Sequence, residues 1–397
     1  MARFVFLVLA TTIDVARASD CDAADAPRAA FRRLIEATQA DCSRRCSCHG
    51  LNGGLFSSVR ARAFCLLHAL AAGCALVATP GGEIRSYVNH AHCSDPSGWL
   101  CHLAPISACD AGAPEVHELG EVMEQFTASV PQLRWVANRT GLLSELAVFG
   151  ELVAWVLRPS PGLRETIAAR RAQLNLSDES TLAVHIRHGD RVKSRGARDA
   201  SARKFAHAAA RLLGAHGLTA AHVMTDDPRA YETFRSALAT RHHRATGIVV
   251  TRFPPDAFPS SAALEAIDES NGGAAGASGA EMAEWFRQRD RGADASDVAF
   301  DEALQLFAQV HILARHRVFL GWQASNIDHA VVELMASCRR WPVYYDVEGW
   351  IWAPGCYEFG LEKFTKEIVT TQRPALPAWA TDRRLARRRL GRAPRRD

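Results

Sequence analysis

Thr181-Leu-Ala-Val-His-Ile-Arg-His-Gly-Asp-Arg191 is the stretch on which the reading of this 397-residue chain turns. Thr181 to Ile186 is apolar and β-branched, as a short buried strand should be. Arg187, His188, Gly189, Asp190 and Arg191 follow at once. A strand that breaks into charge in the middle of an α/β chain marks a carboxyl strand end, outside which such folds keep their ligand. Arg187 offers a rigid fork of donors to phosphate oxygens, and Gly189 lets backbone come close to a ligand. The stretch therefore reads as an anion site, suited to the diphosphate of a sugar nucleotide.

Moving toward the C-terminus, apolar periodicity predicts an alternating pattern. Strands at 182–186, 221–225, 246–250 and 317–320 alternate with helices at 200–213, 229–238, 300–314 and 328–337. Residues 343–346 form an edge strand. Such alternation predicts a parallel nucleotide-binding sheet. The run Asn271-Gly-Gly-Ala-Ala-Gly-Ala-Ser-Gly279 marks a low-complexity insertion over about 265–298, expected as a mobile loop.

Toward the N-terminus, Pro27 to Gln39 is helical, with Phe31, Leu34 and Ile35 on one face. Gly53 and Gly54 sit in a Gly-rich turn that feeds an Ala-rich helix from Val59 to Leu76. Such a turn is a phosphate cradle or simply a tight turn. A strand is expected at 75–79. Helices are expected over Glu118–Phe126, Leu143–Leu157 and Leu163–Leu174. Pro159-Ser-Pro-Gly162 breaks the middle one and sets a domain junction near 160. Trp99 is either a sugar-stacking platform or a packing residue.

Composition sets the outer limits. The chain is 48% hydrophobic and 23% charged, within the range of soluble globular proteins. Its net charge of +4 is concentrated in Thr381–Asp397, where eight Arg face two Asp. The body is then at −2 and carries no nucleic-acid footprint, and 361–397 reads as a basic, solvated tail. Arg3, the apolar run Phe4–Ala10 and Ala16-Arg-Ala18 predict a secretory signal over residues 1–18, with no membrane-spanning segment after it. Nine of the eleven cysteines lie between Cys21 and Cys109, which predicts disulfides with one cysteine left over. Cys338 and Cys356 could pair. Zinc ligation by Cys42, Cys46, Cys48 and His49 is the competing reading. Asn138 and Asn175 head glycosylation sequons.

His185-Ile-Arg-His-Gly-Asp-Arg191, Thr225-Asp-Asp-Pro228 and Gln309-Val-His-Ile-Leu313 come together with Gln323-Ala-Ser325 and Val331-Val-Glu-Leu-Met335. As a set they resemble the motifs of GDP-fucose-dependent fucosyltransferases, the α1,6 family above all. The Gly-Asp pair is also similar to the α1,2 enzymes. The resemblance spans about 182–335. It implies two Rossmann-like α/β domains in a GT-B-like arrangement. A Cys-rich acceptor-side domain would occupy 19–160, and a donor domain 161–360.

By the same resemblance, Arg187 holds the β-phosphate and stabilises the departing GDP. His185 contacts the guanine, and Asp190 orients Arg187. Ser325 and Asn326 bind the diphosphate, and Asp226 and Asp227 shape the donor pocket. Arg191 and Gln309 stand where the family has a Lys and a guanine-reading Asp, and Gly53 and Gly54 match the family's Gly-rich turn faintly. The family's candidate base falls at Arg195, so Asp199 is the candidate put in its place. The implied reaction is inverting displacement of fucose from GDP-fucose onto a glycan or glycoprotein acceptor. It needs no further cofactor and no obligatory metal, and is expected in the Golgi lumen or outside the cell.

Two other functions compete. Arg187-His188-Gly189 also resembles the signature of histidine acid phosphatases, with His188 as nucleophile. That chemistry needs a later His-Asp or His-Glu pair, and the only His-Glu, His117-Glu118, precedes the motif. Gln309 and Arg195 favour a third function, a secreted nucleotide- or glycan-binding protein without turnover.

Overall fold

The computed structural model describes residues 26–49, 55–78, 84, 93, 95, 97–109, 116–121, 133, 136, 138, 142, 144–187, 202–225, 228–241, 249–252, 293–322, 325–338 and 343–347. The N-terminal half contains α1 (Ala26–Ala40), β1 (Arg45–His49), α2 (Leu55–Ala72), β2 (Ala75–Ala78), α3 (Trp99–His102), β3 (His117–Glu121), α4 (Glu145–Val156) and α5 (Pro161–Leu174). The C-terminal half contains β4 (Thr181–Ile186), α6 (Ala202–His216), β5 (Ala220–Thr225), α7 (Pro228–Arg241), β6 (Val249–Arg252), α8 (Ala293–Arg315), β7 (Val318–Gly321), α9 (Asn326–Cys338) and β8 (Val343–Asp346).

The C-terminal strands form one parallel sheet in the order β6-β5-β4-β7-β8. β4, the first in sequence, lies at the centre, and all six of its residues are buried. That explains its nearly unbroken apolar run, since a strand covered on both faces has no polar side to show. Leu182, Val184 and Ile186 pack against Phe205, Leu212 and Phe234 of α6 and α7. Ala183, Met224 and Phe319 face the opposite way, into the core of α8 and α9. The sheet is thus doubly wound, and its order reverses between β4 and β7.

A second, smaller parallel sheet, β2-β1-β3, stands in the N-terminal half. In β1, Cys46 and Cys48 point inward and bond to Cys74 and Cys65, tying the strand to the turn before β2 and to the middle of α2. Cys42–Cys109 and Cys93–Cys101 complete the described bridges. The disulfide expectation for this region holds, and Cys42, Cys46 and Cys48 keep no thiolate for zinc. Cys21 and Cys356 lie outside the described residues.

Three local expectations change. His117–Glu121, read as the start of a helix, is strand β3, in parallel register with β1 at Cys46↔His117 and Ser47↔Glu118. Pairing overrides the helix preference of Glu and Leu there, since propensity is a weak prior beside tertiary contact. The Ala-rich helix ends at Ala72, four residues early. Gly73 turns left-handed at φ 65°, and Cys74 N–H reaches back to Ala69 O at 3.0 Å, closing the helix before β2. Trp99 is 2% exposed beneath the Arg62 guanidinium, 4.5 Å from its ring centre, so it packs and offers no face to a sugar.

The cores of the two halves merge. Phe31, Phe64, Phe149 and Leu152 share one buried cluster with Phe307, Val331 and Met335. α2 is the one described helix long and apolar enough to cross a membrane, and 72% of it is buried inside the protein, as befits a core helix.

Candidate active site at the sheet switch point

The strand order reverses between β4 and β7, and the carboxyl ends beside such a reversal are where doubly wound sheets bind ligands. β4 and β7 pair as Ala183↔Phe319 and Val184↔Leu320, which sets His185 beside Gly321. Strand alternation puts His185 and Arg187 on the same face as Ala183, toward α9 and the N-terminal half.

Gly321 is there to make room. A Cβ on it would stand 2.8 Å from the Phe319 ring and 2.9 Å from the Asp328 carboxyl carbon. The freed space lets Asp328, in the first turn of α9, lie flat against the sheet and reach two strands. Its Oδ1 lies 2.6 Å from Nδ1 of His185, and its Oδ2 accepts the Trp322 N–H at 2.8 Å. Asp328 is fully buried, and burial pushes its carboxyl above the ordinary range. His185, the Trp322 N–H and the nearby Arg187 charge all pull it back down.

α9 starts at this point. The Ser325 N–H donates to Trp322 O at 2.9 Å, and Ser325 O accepts from His329 N–H at 3.2 Å. The Ser325 hydroxyl, fully buried, has no partner among the described residues. It is therefore not spent on capping its own helix, the usual use of a serine here. Next to it, Asn326 Nδ2 donates to Ser57 Oγ at 2.6 Å. Ser57 belongs to the first turn of α2, so two helix N-termini meet within one hydrogen bond. Each offers partial positive charge and unbonded N–H groups. Arg187 adds a full charge. An anion with several oxygens, such as a diphosphate, is what this arrangement suits.

Of the residues singled out in the sequence, His185, Arg187, Ser325 and Asn326 are thus gathered around one crevice. Gln309 is fully buried in α8, and both of its amide atoms lack a partner among the described residues. No hydrogen bond among those residues joins it to the other four. Gly53, Gly54, His188, Gly189, Asp190, Arg191, Arg195, Asp199, Asp226 and Asp227 lie outside the described residues, although Gly54 directly precedes α2 and Asp226 directly follows β5. Asp328 and Ser57 were missed. Asp328 had a signal, Ser325-x-x-Asp328, the spacing of an N-cap and its third helical residue. The His117-Glu118 pair lies in β3 of the other sheet, so nothing in its placement favours a phosphatase.

The fold is that of a doubly wound α/β protein, with His185, Arg187, Ser325, Asn326 and Asp328 placed at its switch point. No family model and no curated protein matches the chain. Among solved structures, one of POFUT1 in complex with GDP aligns at 11% identity with a TM-score of 0.35, covering 77% of this chain and 98% of that one. A second crystal form of POFUT1 with GDP aligns at 12% identity and a TM-score of 0.34, over 77% and 99%. These values are too low to transfer residue roles, so the site is read from its own geometry.

Proposed function

We propose that this protein is a glycosyltransferase that draws its sugar from a nucleoside diphosphate donor, GDP-fucose in the first instance. The observation that carries the reading is the meeting of the α2 and α9 N-termini beside Arg187, with the buried Ser325 hydroxyl unused. A diphosphate satisfies all of these groups at once. GDP-fucose enters through the motif resemblance of residues 182–335. The same resemblance supports inverting displacement onto a glycan or glycoprotein acceptor, with Arg187 stabilising charge as GDP leaves. The four disulfides of the N-terminal half fit an oxidising compartment, the secretory pathway or beyond it.

The test is calorimetric titration of the oxidised protein with GDP, UDP and GDP-fucose, beside Arg187→Ala. Selective GDP binding is expected. Its affinity should fall about a hundredfold in the variant, the scale of a lost charge-assisted contact. Binding of no nucleotide at all would sink the reading.

A further inference from the structure

We propose that Asp328 is a positioning residue that fixes His185 in one tautomer, with Nδ1–H donated into the carboxylate and Nε2 left as an acceptor toward the crevice. Two nitrogens converge on this carboxylate, Nδ1 of His185 and the backbone nitrogen of Trp322, and the backbone one can only donate. Burial raises this carboxyl, and against that the Trp322 N–H, the Arg187 charge and its place in the first turn of α9 each favour the ionised form. An ionised carboxylate has no proton to give, so the 2.6 Å contact to His185 takes its proton from Nδ1. Nε2 makes no hydrogen bond among the described residues. Gly321 is part of the device, because any side chain there would displace the carboxylate.

The consequence divides the crevice into two chemistries. Arg187 can only donate, and so takes phosphate oxygens. Two residues earlier on the same face, about 7 Å away at strand spacing, His185 Nε2 takes a ligand group that itself carries a proton. On a nucleotide sugar that is a base N–H or a sugar hydroxyl. The tautomer assignment stands without any ligand, whereas its use in recognition rests on the function proposed above.

The experiment is nitrogen-15 NMR of histidine-labelled protein, with the His185 signal assigned by its loss in His185→Asn. The wild type should show a protonated Nδ1 and a bare Nε2. Asp328→Asn offers one oxygen where two donors point. With that oxygen on Trp322 N–H, its NH2 donates to Nδ1 and drives the proton to Nε2. The tautomer should therefore reverse, and GDP affinity should fall about tenfold, the scale of one lost hydrogen bond. His185→Asn keeps a donor toward Asp328, so it should melt like wild type while losing affinity similarly. A wild-type Nε2–H tautomer, or no reversal in Asp328→Asn, overturns the assignment. Undiminished GDP affinity in both variants overturns the role in recognition. Absence of GDP binding in the wild type would count against the proposed donor and leave the tautomer result standing.

Discussion

The two ends of α9 are built on opposite plans. At its C-terminal end the last carbonyls are met by cations. Arg28 of α1 donates to Ala336 O at 2.9 Å and Arg32 to Ser337 O at 3.2 Å, supplying the orphan carbonyls of the last turn with cations. Both arginines also meet the buried Glu151 of α4, at 3.4 and 2.7 Å. Gly150 brings α4 so close that a Cβ there would lie 2.5 Å from Glu333 O. Midway along, Arg60 of α2 pairs with the buried Glu333 at 3.2 Å. At the N-terminal end a hydroxyl is left without a partner, and a carboxylate is held against the sheet beside a histidine and an arginine. One end holds the two halves of the molecule together, while at the other the Ser325 hydroxyl has no partner among the described residues.

If that contrast is right, the largest stability loss lies at the closed end. Glu151→Ala strands the Arg28 guanidinium in the interior, and removing one partner of a buried pair typically costs about 3–5 kcal/mol. Gly150→Ala forces α4 and α9 apart and should cost about 1–3 kcal/mol, the range for overpacking. Urea unfolding of both variants measures this. The folded fraction of each should still bind GDP with wild-type affinity. A loss of affinity with little loss of stability would show that the two ends are not separable.

The buried histidines sharpen the contrast further. His185 has a carboxylate, whereas His222 and His311 are held neutral. Burial, with His316 3.3 Å away, lowers His222 to about 3. Burial lowers His311 to about 4, with Arg315 adding to the effect and its hydrogen bond to Leu157 O opposing it. Folded values below the unfolded 6.5 mean that the unfolded chain takes up protons first as pH falls. The stability these sites confer is complete above about pH 6.5 and is lost between there and their folded values. At pH 5 each should have cost about 2 kcal/mol. Urea titrations at pH 7 and pH 5 should show the loss, and His222→Gln should reduce it. A flat profile over that window would mean that these rings titrate in the folded protein as they do in the unfolded chain.

How much of this was visible in the sequence depended on which groups talk to which. β4 could be read because a strand buried on both faces is apolar along most of its length, and Arg187 because charge directly after such a strand needs a use. Ser325 was placed by motif, with nothing in the sequence to tell a cap from an open hydroxyl. Asp328 stayed hidden because its importance lies in a 143-residue separation from His185, which only strand order and the bare surface of Gly321 create. β3 was misread because Glu and Leu favour helix locally, and nothing nearby in sequence announces the register with β1.

The smallest effect tests the open end most directly. Ser325→Ala removes a buried hydroxyl that has no partner among the described residues. A serine that served as a cap would lose about 1 kcal/mol of stability on this change. A serine held in reserve for a ligand should lose none and gain slightly, because an unsatisfied buried polar group is itself a cost. GDP affinity should fall about five- to tenfold, the value of one hydrogen bond. Melting temperature and calorimetry on the same sample separate the cases. A lower melting temperature with unchanged affinity would make α9 a structural helix at both ends and remove the hydroxyl from the site. A steady or higher melting temperature with weakened binding would mean that the Ser325 hydroxyl is held for the diphosphate rather than for the helix.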